Sequence, residues 1–174
     1  MRRILRTPPT REVAMAGRKP MFTAAGHLDA PLATVAETIL RVRPGPAQGD
    51  NLVLLQAQGV GGGPVSGGPD HFTLEYAGGR LTVEVDRERR TLSAQGGWWY
   101  RGEYTVTAAE DGGTVLTLRV YNVAGRGSRW AVPLANNFFR GHGDRTRAAL
   151  AGQLSALGER LDCATRPLDE APEP

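Results

Sequence analysis

Four rings with a polar end, Tyr76, Trp98, Tyr100 and Tyr104, recur at alternate positions of strand-like segments, and Asn122 extends a neighbouring row formed by Leu116, Leu118 and Val120. A core built for packing alone favours Leu, Ile and Val, whereas rings carrying a hydroxyl or an indole N–H suit a wall that holds an apolar ligand and orients it. The competing reading is that the same rings simply fill a solid core. Trp130, Asn136, Asn137, Phe138 and Phe139 lie on the approach to the last helix, in position to line an entrance. His142, within Arg140-Gly-His-Gly-Asp144, is an acid–base candidate beside a helix start, with Tyr100 and Tyr104 as further proton carriers. An exposed turn histidine is the plainer alternative. The sequence supplies no coupled acid–base pair, so no catalytic residue is assigned.

Other chemistries find little to build on. His27, His71 and His142 are scattered, with no HExxH or HxH spacing, and Cys163 is the one cysteine. Neither a metal site, an intramolecular disulfide nor a cofactor is therefore expected. The glycine-rich run from Gly59 to Pro69 lacks the Gly-Lys-Ser/Thr ending of a phosphate cradle and no helix start follows it, so it reads as a flap between strands. There is no GxSxG elbow, and Cys163 stands at the end of a helix, where packing is its usual role.

Length limits the organisation: 174 residues suit one domain with tails. No apolar run approaches the ~20 residues that span a bilayer, so no membrane insertion is expected. A single cysteine fits a reducing, cytoplasmic setting. Residues 1–21 carry Arg2, Arg3, Arg6, Arg11, Arg18 and Lys19 against Glu12, with prolines breaking any helix, and are expected to form a flexible basic arm. Most of the net charge of +3 resides there, so the folded part has no strong field and no nucleic-acid partner is expected. The domain is drawn from Phe22 to Cys163, and residues 164–174 are expected to be a disordered acidic, proline-rich tail.

The elements that must position the rings follow from periodicity. Leu81, Val83 and Val85 alternate with Thr82, Glu84 and Asp86; Leu92 and Ala94 continue the apolar face; after a bend at Gly96-Gly97 the inward set becomes Trp98, Tyr100, Tyr104 and Val106, with Trp99, Arg101 and Glu103 outward. Glu110-Asp111-Gly112-Gly113 is a hairpin signal, after which Leu116, Leu118 and Val120 turn inward. This four-stranded antiparallel meander has one wet face, with Arg101, Glu103 and Arg119 pairing across strands there. Phe22–Asp29 reads as a first strand, and Leu32 to Leu40 as a helix capped by Asp29 with Pro31 in its first turn. Asn51 to Gln58 reads as a second strand and Phe72, Leu74 and Tyr76 as a third, giving seven strands. From Asp144, Ala148, Leu150, Leu154, Leu157 and Leu161 form the apolar stripe of a long helix, with Gln153 among the residues placed elsewhere.

With the opening HLDAPLATVAETIL and the paired late strands GEYTVTAAEDGGTVLTLRV in view, the chain from Phe22 to Cys163 resembles the helix-grip superfamily of START lipid-transfer domains, polyketide cyclases and birch-pollen-allergen-like carriers, known as SRPBCC. That resemblance implies an α+β fold in which a seven-stranded curved antiparallel sheet wraps around a long C-terminal helix, with a short helix after the first strand. It also implies a cavity between sheet and helix for a hydrophobic small molecule such as a lipid or polyketide. The expected ligand-binding residues are Tyr76, Trp98, Tyr100, Tyr104, Asn122, Trp130, Asn136 and Phe138. The expected activity is carriage or sensing of that ligand; the alternative is a cyclase or dehydratase working in the same cavity.

Overall fold

A computed structural model describes residues 18–125, 132 and 140–170. Within them the chain forms β1 (Phe22–Leu28), α1 (Leu32–Ile39), β2 (Gly45–Pro46), α2 (Val53–Gln56), β3 (Pro64–Gly67), β4 (His71–Tyr76), β5 (Gly79–Asp86), β6 (Thr91–Gly96), β7 (Tyr100–Ala108), β8 (Thr114–Asn122), α3 (His142–Leu161) and β9 (Thr165–Leu168). The strands make one antiparallel sheet in the order β2-β3-β4-β5-β6-β7-β8-β1-β9. The chain is thus α+β, an open antiparallel sheet carrying its C-terminal helix on one face.

Register explains the layering. Val83 lies opposite Ala94, Ala94 opposite Gly102, Gly102 opposite Val120, and Val120 opposite Phe22. One continuous apolar row therefore crosses five strands, and the period of two keeps it on one face. Leu74, Leu92, Val106, Leu116 and Leu118 on this face are fully buried. Each such side chain contributes about 1.5–3 kcal/mol on leaving water. The cover comes from the helices: α1 reaches β7, α2 touches α3, and α3 lies across β1 and β9. On α3 the buried residues are Leu150, Gln153, Leu154, Leu157 and Gly158, a stripe at helical spacing. At Gly26 the helix comes closest. A Cβ there would stand 2.1 Å from Leu154 Cδ1, so the bare glycine is the hole into which Leu154 fits.

Several boundaries differ from the sequence reading. Among the described residues the sheet has nine strands rather than seven. Asn51 to Gln58 is not a strand: Leu52 takes a left-handed conformation and Val53–Gln56 form a helical turn. The reason is local hydrogen bonding, since Asn51 Oδ1 accepts from Arg43 N while its Nδ2 donates to Arg43 O and Pro46 O, folding the loop back on itself. A run of three buried apolar residues, Val53 to Leu55, suits either element. The glycine-rich segment contains β3, which bridges β2 and β4, so it is partly sheet rather than wholly flap. Helix α1 is capped at Pro31, with no side-chain bond from Asp29. Residues 165–168, assigned to the tail, form β9 against β1. On the outer face Arg101 is buried and pairs across strands, donating to Ser93 Oγ of the adjacent β6 at 2.7 Å and to Glu84 Oε2 of β5 at 2.6 Å, while Glu103 lies opposite Arg119.

Candidate functional site

Between the first half of α3 and the sheet lies a cleft of about 500 Å³. Phe22 of β1, Tyr100 of β7 and Leu118 and Val120 of β8 form its floor; His142, Arg145, Thr146, Ala148, Ala149 and Gly152 of α3 form one wall; Ala57 and Gln58, after α2, form the other. Trp99 closes one end. Two of the rings meet His142. Phe22 stacks on it at 6.1 Å and 19°, and Trp99 meets it edge-on at 6.2 Å. Trp99 also lies edge-on to Tyr100, 5.8 Å between centroids. Such contacts hold rings in fixed orientations at a mouth that α3 alone would leave loose.

Below this layer stands a polar cluster in the core. Tyr104 is buried, and its hydroxyl accepts from Gln58 Nε2 and from Gln153 Nε2, each at 2.8 Å. Gln153 Nε2 also donates to Leu54 O at 3.0 Å, tying α3 to α2, while its Oε1 is buried with no partner among the described residues. Gln58 therefore spans the two layers, lining the cleft on one side and holding Tyr104 on the other. Burial pushes the Tyr104 hydroxyl well above the ordinary tyrosine range, with Tyr100 adding to the rise and the two glutamines opposing it. Burial also raises Tyr100. Both phenols are thus protonated at neutral pH, and Tyr100 offers the cleft a hydroxyl donor rather than a base.

Of the residues expected to bind a ligand, Tyr100 lines the cleft and Tyr104 lies beneath it. Tyr76 is half-buried against the core at the end of β4, and Asn122 uses its side-chain oxygen to accept from Ala124 N; neither lines the cleft. Trp130, Asn136 and Phe138 fall outside the described residues. The tryptophans are placed opposite to the expectation: Trp98 is 50% exposed and Trp99 faces the cleft. Gly96 pairs with Tyr100, so Gly97, Trp98 and Trp99 form a three-residue hairpin loop in which Gly97 takes φ +61°, and strand alternation does not carry through it. Sequence reasoning missed Phe22 and Gln58 as lining and misplaced Gln153. Its position three residues after Leu150 and four before Leu157, inside the apolar stripe, was the available signal.

A second depression, also about 500 Å³, lies on the outer face, where Asp70, Glu84, Asp86, Glu88 and Glu103 alternate with Arg87, Arg89 and Arg101. Its charges pair with one another, as in Arg101 with Glu84. Among the described residues no group of His, Cys, Asp and Glu could hold a metal ion, and no helix is long and apolar enough to cross a membrane.

An open antiparallel sheet with its C-terminal helix above an aromatic-lined cleft is the class of molecule defined by these features. No family model and no curated protein matches the chain. Among solved structures it is similar to the crystal structure of TTHA0849 from Thermus thermophilus, with 14% identity and a TM-score of 0.43, over 80% of this chain and 97% of that one.

Proposed function

We propose that this protein binds a hydrophobic small molecule, such as a lipid or polyketide, in the cleft between sheet and C-terminal helix and acts as its carrier or sensor, in the manner of the SRPBCC helix-grip proteins its sequence resembles. The observation that carries the reading is the cleft of about 500 Å³, apolar along Phe22, Leu118 and Val120 and edged by Trp99, Tyr100 and His142. That volume accepts a drug-sized ligand, and its few polar groups would orient one. Native mass spectrometry of the purified protein, looking for a co-purified apolar molecule, is the direct test. A fluorescent fatty-acid probe is the second: it should bind saturably and alter emission from Trp99. Gly152 lines the cleft, and a Cβ there meets nothing within 4 Å, so Gly152→Leu should fill the cleft without disturbing the helix. If that variant binds the probe as the parent does, the ligand site is not here.

A cyclase or dehydratase reading has one observation in its favour, the approach of His142 and Tyr100 to the same space. Under it, a bound ligand recovered after incubation would have lost water or gained a ring, and His142→Ala would abolish the change. A ligand recovered unaltered leaves the carrier.

A further inference from the structure

We infer that the end of the molecule at which the cleft opens is a docking face for an anionic lipid surface. The register brings one set of turns to this end: β1 and β7 begin here, β4, β6 and β8 end here, and α3 starts here. At its tip stands Trp98, the exposed large hydrophobic side chain among the described residues. Its neighbour Trp99 turns into the cleft, so one three-residue loop presents an indole outward and another to the site. Water is a poor solvent for an exposed indole, whereas the headgroup layer of a bilayer accommodates its apolar body and its N–H together.

Charge agrees with this occupant. Arg18 and Lys19 precede β1 at this end, and Arg140 and Arg145 stand at the start of α3. Arg80 and Arg147 are also here, paired with Glu75 and Asp144. The segments 56–63, 96–100 and 121–125 contain no carboxylate. β9 also ends here, so Asp169 and Glu170 are further exposed acids nearby, Asp169 on the flank beside Thr23 and Arg147. The opposite end differs in kind: Asp86 and Glu88 offset Arg87, Arg89 and Arg90, and Glu110 and Asp111 fill the β7–β8 turn. A stable protein partner would bury about 800 Å² a side around an apolar centre, and Trp98 stands as a single exposed large hydrophobic among the described residues. One exposed indole at the same end as Arg18, Lys19, Arg140 and Arg145 is instead the pattern of a surface that meets anionic headgroups.

The test uses the full chain and flotation with vesicles of phosphatidylcholine alone or of phosphatidylcholine with phosphatidylglycerol. Binding should require phosphatidylglycerol, weaken as salt rises, and shift tryptophan emission to the blue. Trp98→Ala and Arg140→Glu should each lower partitioning by roughly five- to tenfold, while the fatty-acid probe still fills the cleft of both. Gly152→Leu should lose the probe and keep the vesicles, which separates this face from the proposed ligand site. The inference is overturned by equal binding to neutral vesicles, by binding to neither, or by a Trp98→Ala variant that floats like the parent. It is also overturned if single-stranded DNA of equal charge binds more tightly than the vesicles, or if Trp98 instead drives a concentration-dependent dimer in sedimentation.

Discussion

Tyr104 joins two roles in one side chain. Its ring belongs to the buried row of the sheet, opposite Leu92 and Leu118, while its hydroxyl serves two amides in the interior. Removing the oxygen leaves Gln58 without its acceptor and Gln153 with Leu54 O alone. Tyr104→Phe should therefore destabilise the fold by about 1–3 kcal/mol, measured by urea unfolding, although the ring itself is preserved. The raised proton affinity of Tyr104 and Tyr100 has a pH consequence. Below about pH 10 folded and unfolded chains both hold these protons, and their contribution is fully present. Above it the unfolded chain releases them and the folded chain does not, so stability falls as pH rises. Unfolding midpoints measured between about pH 9 and about pH 11 should show that decline, and Tyr104→Phe should flatten it.

At the scale of elements, the contact between α3 and β1 is the sharpest. Leu154 is buried and occupies the space a side chain at position 26 would need. Leu154→Ala should cost about 2–5 kcal/mol. Gly26→Ala should cost on the order of 1–3 kcal/mol through crowding. Together they should cost less than their sum, because the smaller helix residue opens room for the new methyl; simple additivity in a double-mutant cycle would mean that the two do not meet. Elements of this kind were legible in the sequence. Leu81 to Val85 keep strict alternation and Leu150, Leu154 and Leu157 keep helical spacing, because each has a dry side and a wetter one; Leu116 to Val120 alternate with the polar Thr117 and Arg119, although Thr117 is itself buried. Where both sides are dry or the chain turns, the pattern loses its meaning. Val53 to Leu55 are all buried, so no periodicity distinguished helix from strand, and Trp98 and Trp99 sit in a turn whose geometry, not parity, aims them. Strands β2, β3 and β9 were illegible for another reason: at two to four residues each, rich in Pro and Gly, they exist only because a longer neighbour pairs with them. Of the site, Tyr100 and Tyr104 were readable, while Gln58 and Gln153 acquire their role from a long-range contact that no local pattern encodes.

For the whole molecule, β9 is a small piece with a large position. It covers the outer edge of β1 from Ala25 to Leu28 and touches α3. Truncation after Ala164 should lower the melting temperature and, by baring the hydrogen-bonding edge of β1, increase light scattering on heating; an unchanged melt would show that β9 only rests on the sheet. The order of the sheet also fixes a timetable for assembly. Strands β4 to β8 meet their sequence neighbours and can zip by successive hairpins, but β1, the first of the described strands, has no partner until β8 emerges, and its other edge waits for β9, the last of them. On the ribosome the earliest apolar strand must therefore stay unpaired while the whole meander is made, at about 5–20 residues per second. Refolding of the complete chain should accordingly show early amide protection in β5 to β8 and late protection in β1, with closure of β1 over long sequence separation setting the overall rate.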